Sequence, residues 1–154
     1  NIIDRRKLRL SHSFDMSGNE LTKVLAKGLG IDYKKAEELK IKYGISPSGQ
    51  EIVGGKGVRD ILLPLVDVIL KEVVEIINSY TAKNKKEIQK VILAGGTAFL
   101  PGLREYFSDN LEKETEIAFP FSDVFYPPIL EEKLREMGPA YAIAAGMALR
   151  GLEY

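Results

Sequence analysis

Glu37 and Lys40 stand three residues apart in Ala36-Glu37-Glu38-Leu39-Lys40, and Gly44 follows one turn later. Residues at this spacing share one face of a helix, so a carboxylate and an ammonium project together. Such a pair can be a solvated ion pair, worth roughly a few tenths of a kcal/mol. It can also reach into a cleft, hydrogen-bonding a ribose and flanking an adenine. Spacing alone leaves both readings open. A second cluster lies at Val91-Ile-Leu-Ala-Gly95-Gly96-Thr97-Ala-Phe99-Leu-Pro101-Gly-Leu103. It reads as a strand covered on both faces, a double-glycine turn and a helix with Pro101 at its first position. Adjacent glycines let the backbone turn sharply and lie against a ligand with no Cβ between. The same turn can equally be a plain strand-to-helix connection.

Little else in the chain could do chemistry. With no cysteine and one histidine in 154 residues, thiol catalysis, disulfides and zinc fingers are excluded. His12 lies in Ser11-His12-Ser13 without a nucleophile in context, which reads as a surface histidine. Asp15, Asp32, Asp109 and Asp123 fall at loops or helix starts, where capping accounts for aspartate. No acidic pair is placed for general acid–base work, and no cluster recommends a metal. Gly54-Gly-Lys-Gly lacks the spacing of a Walker lysine motif. Twenty-two basic and 22 acidic residues are mixed along the chain, so neither nucleic acid nor an anionic membrane is indicated as a partner. No apolar run approaches membrane-spanning length.

The elements that must position these residues alternate between strand and helix patterns, an α/β arrangement. Residues 2–10 read as one charged edge strand. Ser17-x-x-Glu20 has capping-box spacing ahead of Leu21, Val24, Leu25 and Leu29, with Gly28 and Gly30 ending that helix. Asp32 caps a second helix with Ala36, Leu39 and Tyr43 on one face and Gly44 as its stop. Residues 45–57 read as a loop or weak hairpin. The longest helical pattern runs over 58–82 through Val58, Ile61, Leu62, Leu65, Ile69, Val73, Ile76 and Tyr80, with Pro64 perturbing only its first turns. Poor helix formers in it require that burial hold it. A helix over 101–112 faces Leu103, Tyr106, Phe107 and Leu111 inward. A short strand over 115–119, an aromatic loop over 121–128 and a charged helix over 129–136 follow. The last helix is started by Pro139 and stopped by Gly151, and its alanine-rich surface permits close backbone approach. Asn1 enters a strand pattern directly, without methionine, and the chain reads as a piece of something longer.

Ala36-Glu37-x-x-Lys40-x-x-Tyr43-Gly44, Leu93-Ala-Gly95-Gly96-Thr97 and Gly138-Pro-Ala140-Tyr-Ala-Ile-Ala-Ala-Gly146-Met-Ala148 occur in an order that resembles the second half of the actin-like ATPase superfamily. The Gly18-Asn-Glu-Leu-Thr22 start, Leu103 after Pro101-Gly, Pro120-Phe121 and Gly146-Met-Ala-Leu-Arg150 are similar to the PilM family of type IV pilus assembly. That resemblance implies a ribonuclease-H-like actin ATPase subdomain with a sheet flanked by helices. A sheet-bearing core would comprise about 1–31 and 83–154, with a helical insertion over about 32–82 and an N-terminal lobe elsewhere.

The resemblance further implies that Glu37 and Lys40 contact ribose and adenine, and that Gly44, Gly95, Gly96, Thr97 and Phe99 line the adenosine slot. The cofactor implied is ATP with magnesium in the intact protein. The superfamily's phosphate-binding turns have no counterpart here, so no catalytic residue is assigned, tight nucleotide binding by this piece alone is not expected, and it should not hydrolyse ATP. The implied partner is a PilN-like inner-membrane protein, bound mainly by the other lobe. The implied location is cytoplasmic, peripheral at the inner membrane. An FtsA-like cell-division homologue, a sugar- or acetate-kinase relative, and a module in which Gly95-Gly96 is only a turn stand as alternatives.

Overall fold

The computed structural model describes residues 1–47, 52–53 and 55–151 as a mixed α/β fold of helices and two-stranded sheets. The first strand pattern is a hairpin: β1 (Ile2–Asp4) pairs antiparallel with β2 (Lys7–Leu10). Arg5 and Arg6 between them both take positive φ, 50° and 61°. That is the dihedral pattern of a tight two-residue hairpin turn. The single edge strand expected over 2–10 is therefore corrected, because the chain folds back at two arginines that carry no sequence cue for a turn.

Both helix starts follow their side-chain chemistry. α1 (Gly18–Leu29) begins where Ser17 accepts a hydrogen bond from the Glu20 amide, and α2 (Tyr33–Tyr43) where Asp32 accepts from the Lys35 amide. Gly30 in the left-handed region closes α1. Gly28 does not end that helix; it lets Ile61 of the long helix press against α1 where a Cβ would lie 2.8 Å from Ile61 Cδ1. Val24, expected inside, stays partly exposed. β3 (Ile52–Val53) and β4 (Lys56–Gly57) form the weak hairpin within 45–57, of which residues 48–51 and 54 lie outside the described residues.

α3 (Val58–Asn84) runs unbroken through Pro64. Its most deeply buried stripe is Val58, Leu62, Val66 and Leu70, while Ile61, Leu65, Ile69 and Val73 pack beside it. These side chains join Leu21 and Leu25 of α1 and Ala36 and Leu39 of α2 in one core. Burial of that stripe offsets the low helix propensity of its valines and isoleucines.

β5 (Lys90–Leu93) and β6 (Glu114–Ile117) pair in parallel, joined by a 3₁₀ turn (Gly96–Phe99) and α4 (Leu103–Leu111). β5 is not covered on both faces, since Ile92 is 60% exposed. Pro101 is not the first helical residue either. Gly102 is the N-cap, and Pro101 turns its carbonyl to the Ile45 amide instead. Leu103, Tyr106, Phe107 and Leu111 face the core as the spacing predicts.

α5 (Glu131–Arg150) is one helix where two were expected. Pro139 lies inside it, and Gly138 beside it packs against Phe119, Pro120 and Phe121, where a Cβ would lie 3.2 Å from Pro120 Cδ. Phe119 also meets Tyr126 edge-on and lies beneath Arg135, so the aromatic loop braces the helix where proline removes a hydrogen bond. What meets α5 at Gly138 is side chains, and the backbone contact here is the Gly95 amide on the Pro139 carbonyl; Gly146, in the alanine-rich stretch, has nothing within 4 Å of where a Cβ would be. Among the described residues no helix is long and apolar enough to cross a membrane.

Candidate functional site

α2 carries Glu37 and Lys40 on the face turned to the start of α1. Lys40 is only 6% exposed. Its ammonium lies 2.8 Å from Glu37 Oε2, 2.8 Å from Thr22 Oγ1 and 3.0 Å from the Gly18 carbonyl oxygen. Thr22, fully buried on α1, also makes a short hydrogen bond to Glu37 Oε2. Thr22 Oγ1 also lies 3.0 Å from the Gly18 carbonyl oxygen, but the hydroxyl has one proton, and the carboxylate is its stronger acceptor. Lys40 therefore donates to Gly18, Thr22 and Glu37, and Thr22 donates to Glu37. Glu37 itself keeps about a third of its side chain exposed, at 35%. The pair read from spacing as solvated or cleft-facing is thus half of each: the ammonium is buried, the carboxylate open.

Desolvation pushes the Glu37 carboxyl up, but hydrogen bonds from Lys40 and Thr22 and the nearby positive charge together outweigh it and hold it below the ordinary glutamate range. A carboxylate lowered in the folded state contributes stability that is present above its unfolded value and lost as pH falls through its folded value. In the 154-residue chain, Glu37→Gln should flatten part of the acid limb of a plot of unfolding free energy against pH. An acid limb of unchanged slope would show that the network adds nothing to stability.

The double-glycine turn arrives beside this network. A Cβ on Gly18 would collide with Thr97 Oγ1 and lie 3.8 Å from Lys40 Nζ, so the Thr97 hydroxyl occupies the space that Gly18 leaves. Gly95 holds φ 93° and ψ 168°, a conformation that demands glycine, and its amide donates to the Pro139 carbonyl of α5 at 2.7 Å. Neither Gly95 nor Gly96 has an atom within 4 Å of where a Cβ would be, which leaves a bare stretch of backbone facing open space. Phe99, 45% exposed, ends the same turn.

Gly44 lies on the other side of the junction. Its φ of 50° and ψ of −129° suit only glycine, and a Cβ there would lie 2.5 Å from the Pro101 carbonyl oxygen. The Ile45 amide donates to that same oxygen at 2.8 Å. Gly44 thus fastens the end of α2 to the turn before α4, and its bare side is filled by Pro101. Glu37, Lys40 and Thr97 converge around Gly18. Gly95, Gly96 and Phe99 continue along the turn, and Gly44 sits behind it.

Two residues of this site were not singled out by chemistry in the sequence. Thr22 looked like an ordinary helix residue and Gly18 like the residue after a cap. The available cue was their i,i+4 spacing, which puts a small residue and a hydroxyl on one face. His12 is half exposed, with Glu72 Oε2 3.5 Å away, and stands apart from the site. Two shallow surface grooves also lie elsewhere, one about Phe14, Met16 and Val24, the other about Ile77, Thr81 and Leu111.

Known proteins resemble this chain in sequence and in fold. The family model described as type IV pilus assembly protein PilM matches residues 1–152. The chain belongs to the PilM family. A solved structure described as a PilM-PilN type IV pilus biogenesis complex is similar to it with a TM-score of 0.72 and 28% sequence identity, over 90% of the present chain. The match spans 38% of that PilM-PilN complex chain. Membership in the PilM family rests on nearly the whole sequence, and the mixed α/β architecture accords with the solved PilM-PilN structure.

Proposed function

We propose that this chain is the nucleotide-binding lobe of a PilM-type, actin-like protein that scaffolds the cytoplasmic side of the type IV pilus inner-membrane platform. The observation that carries the reading is the approach of α2 to the Gly95–Thr97 turn across Gly18, with the glycine backbone left bare and the Glu37 side chain about a third exposed. Flat backbone beside one oriented polar group is what a planar base and its sugar require. Under this reading the fold is the second, ribonuclease-H-like half of an actin-like protein. Residues 1–31 and 83–154 form its core subdomain and 32–82 the helical insertion, and α5 is the helix that connects to the other half.

The residues present fit the nucleoside end of ATP. Glu37 would hold ribose hydroxyls, and Gly95, Gly96, Thr97 and Phe99 would wall the base. Among the described residues no three His, Cys, Asp or Glu side chains gather as a metal site; in this reading the groups for magnesium and the phosphates come from the other lobe. When bound, ATP would supply a state that partners can distinguish; this chain contributes recognition of its adenosine. The partner in this reading is a PilN-like inner-membrane protein, met mainly through the other lobe.

The decisive substitution is Gly96→Val in the full-length protein. Gly96 is exposed and a side chain there meets nothing, so stability should change by no more than about 0.5 kcal/mol. ATP affinity by calorimetric titration should nevertheless fall about tenfold or more, as a branched side chain fills the space meant for the base. Affinity equal to wild type would remove the turn from the binding site.

A further inference from the structure

Lys40 has no hydrogen left to offer a ligand. An ammonium carries three N–H donors and no acceptor, and its three nearest acceptors are the Gly18 carbonyl, Thr22 Oγ1 and Glu37 Oε2. For Lys40 to hydrogen-bond a nucleotide, one of these would have to be released, in a place where its side chain is 8% exposed. Leaving a buried polar partner unmade is unfavourable. Glu37 differs, since its Oε2 takes both Lys40 and Thr22 while 35% of its side chain remains exposed.

From this geometry we infer that Lys40 and Thr22 are positioning residues that aim Glu37, and that Lys40 makes no contact of its own with nucleotide. The inference deepens the adenosine-site reading and rests on it. Two helices supply the clasp: Gly18 and Thr22 come from α1, Glu37 and Lys40 from α2. Lys40 and Thr22 both hold the same carboxylate oxygen, Oε2, and so anchor the Glu37 side chain at that atom. The Thr97 hydroxyl, seated against Gly18, brings the glycine turn up to the same two helices. Thr22 and Gly18 thereby join the site without touching its ligand.

Thermodynamic cycles in the full-length protein separate positioning from contact. ATP, 2′-deoxy-ATP and 3′-deoxy-ATP would be titrated against wild type, Glu37→Gln, Lys40→Met, the Glu37→Gln/Lys40→Met double variant, Thr22→Val and Thr22→Ser, with thermal melts as the check on folding. Wild type should prefer ATP over at least one deoxy analogue. Glu37→Gln and Lys40→Met should each lose about tenfold in ATP affinity, the loss of one charge-assisted hydrogen bond, and each should lose the ribose preference. The double variant should bind no worse than Glu37→Gln alone. Thr22→Val should blunt the preference and Thr22→Ser restore it, and this pair carries the comparison if Lys40→Met does not fold. A further tenfold loss in the double variant, or an intact ribose preference in Lys40→Met or Thr22→Val, overturns the positioning role while leaving the adenosine site in place. Wild type that binds no ATP at all overturns the adenosine reading itself, and this inference with it.

Discussion

Gly44→Val should be among the most damaging single substitutions in this chain, lowering stability by about 4 kcal/mol. Two costs add. A β-branched residue forced to φ 50° and ψ −129° carries backbone strain of roughly 1–3 kcal/mol. Its Cβ would also lie 2.5 Å from the Pro101 carbonyl oxygen and 2.7 Å from Pro101 Cδ, and overpacking of this kind costs roughly a further 1–3 kcal/mol. The struck atoms include backbone, and that backbone is fixed. Pro101 O accepts the Ile45 amide, and Gly102 at φ 83° lies so close to Ser46 that a Cβ would be 2.8 Å from the Ser46 nitrogen. Two glycines from distant segments thus let two main chains cross without side chains between them. In a thermal melt of the 154-residue chain the midpoint should fall by about 10 °C, taking roughly 2–4 °C per kcal/mol for a domain of this size. A fall of a degree or two would mean the crossing yields easily. The same junction ties α2 to the glycine turn, so nucleotide affinity in the full-length protein should drop alongside stability, unlike the Gly96→Val case.

How much of this could be read from the residues depended on how local each cause is. Ser17 and Asp32 act within three residues of themselves, so both helix starts were legible from type and spacing. The stripe of α3 was legible as a helix, yet its deepest residues include Val66 and Leu70, which a periodic list beginning at Val58 passes over. The β1–β2 hairpin was hidden because its turn consists of Arg5 and Arg6, side chains with no preference for positive φ. Pro139 was misleading for the converse reason. Proline argues locally for a helix start, but the aromatic loop and the Gly95 amide meet that point of α5 from outside. Glu37, Lys40 and Thr97 were named from motif and order. Their convergence on Gly18 is a property of three separate elements, which no spacing along the chain encodes.

The helices that hold the clasp lean on α3, and Leu62→Ala tests that support at its centre. Leu62 is fully buried in the core shared with Leu21 and Leu25 of α1 and Leu39 of α2. Removing its isobutyl group should cost about 3–4 kcal/mol, the transfer of the lost carbons plus the cavity they leave. Collapse of the cavity is hindered on the facing side by Gly28, where α1 and α3 already touch through Ile61. The expected result in the 154-residue chain is a midpoint lower by about 10 °C in a thermal melt. In the full-length protein at low temperature, ATP affinity should stay near wild type, because Leu62 makes none of the hydrogen bonds around Glu37. Stability loss with binding kept is the mirror image of Gly96→Val, where binding is lost and stability kept. If Leu62→Ala instead weakens ATP binding while the protein remains folded, the clasp is sensitive to how α1 sits on α3, and the core is then part of the site rather than merely its floor.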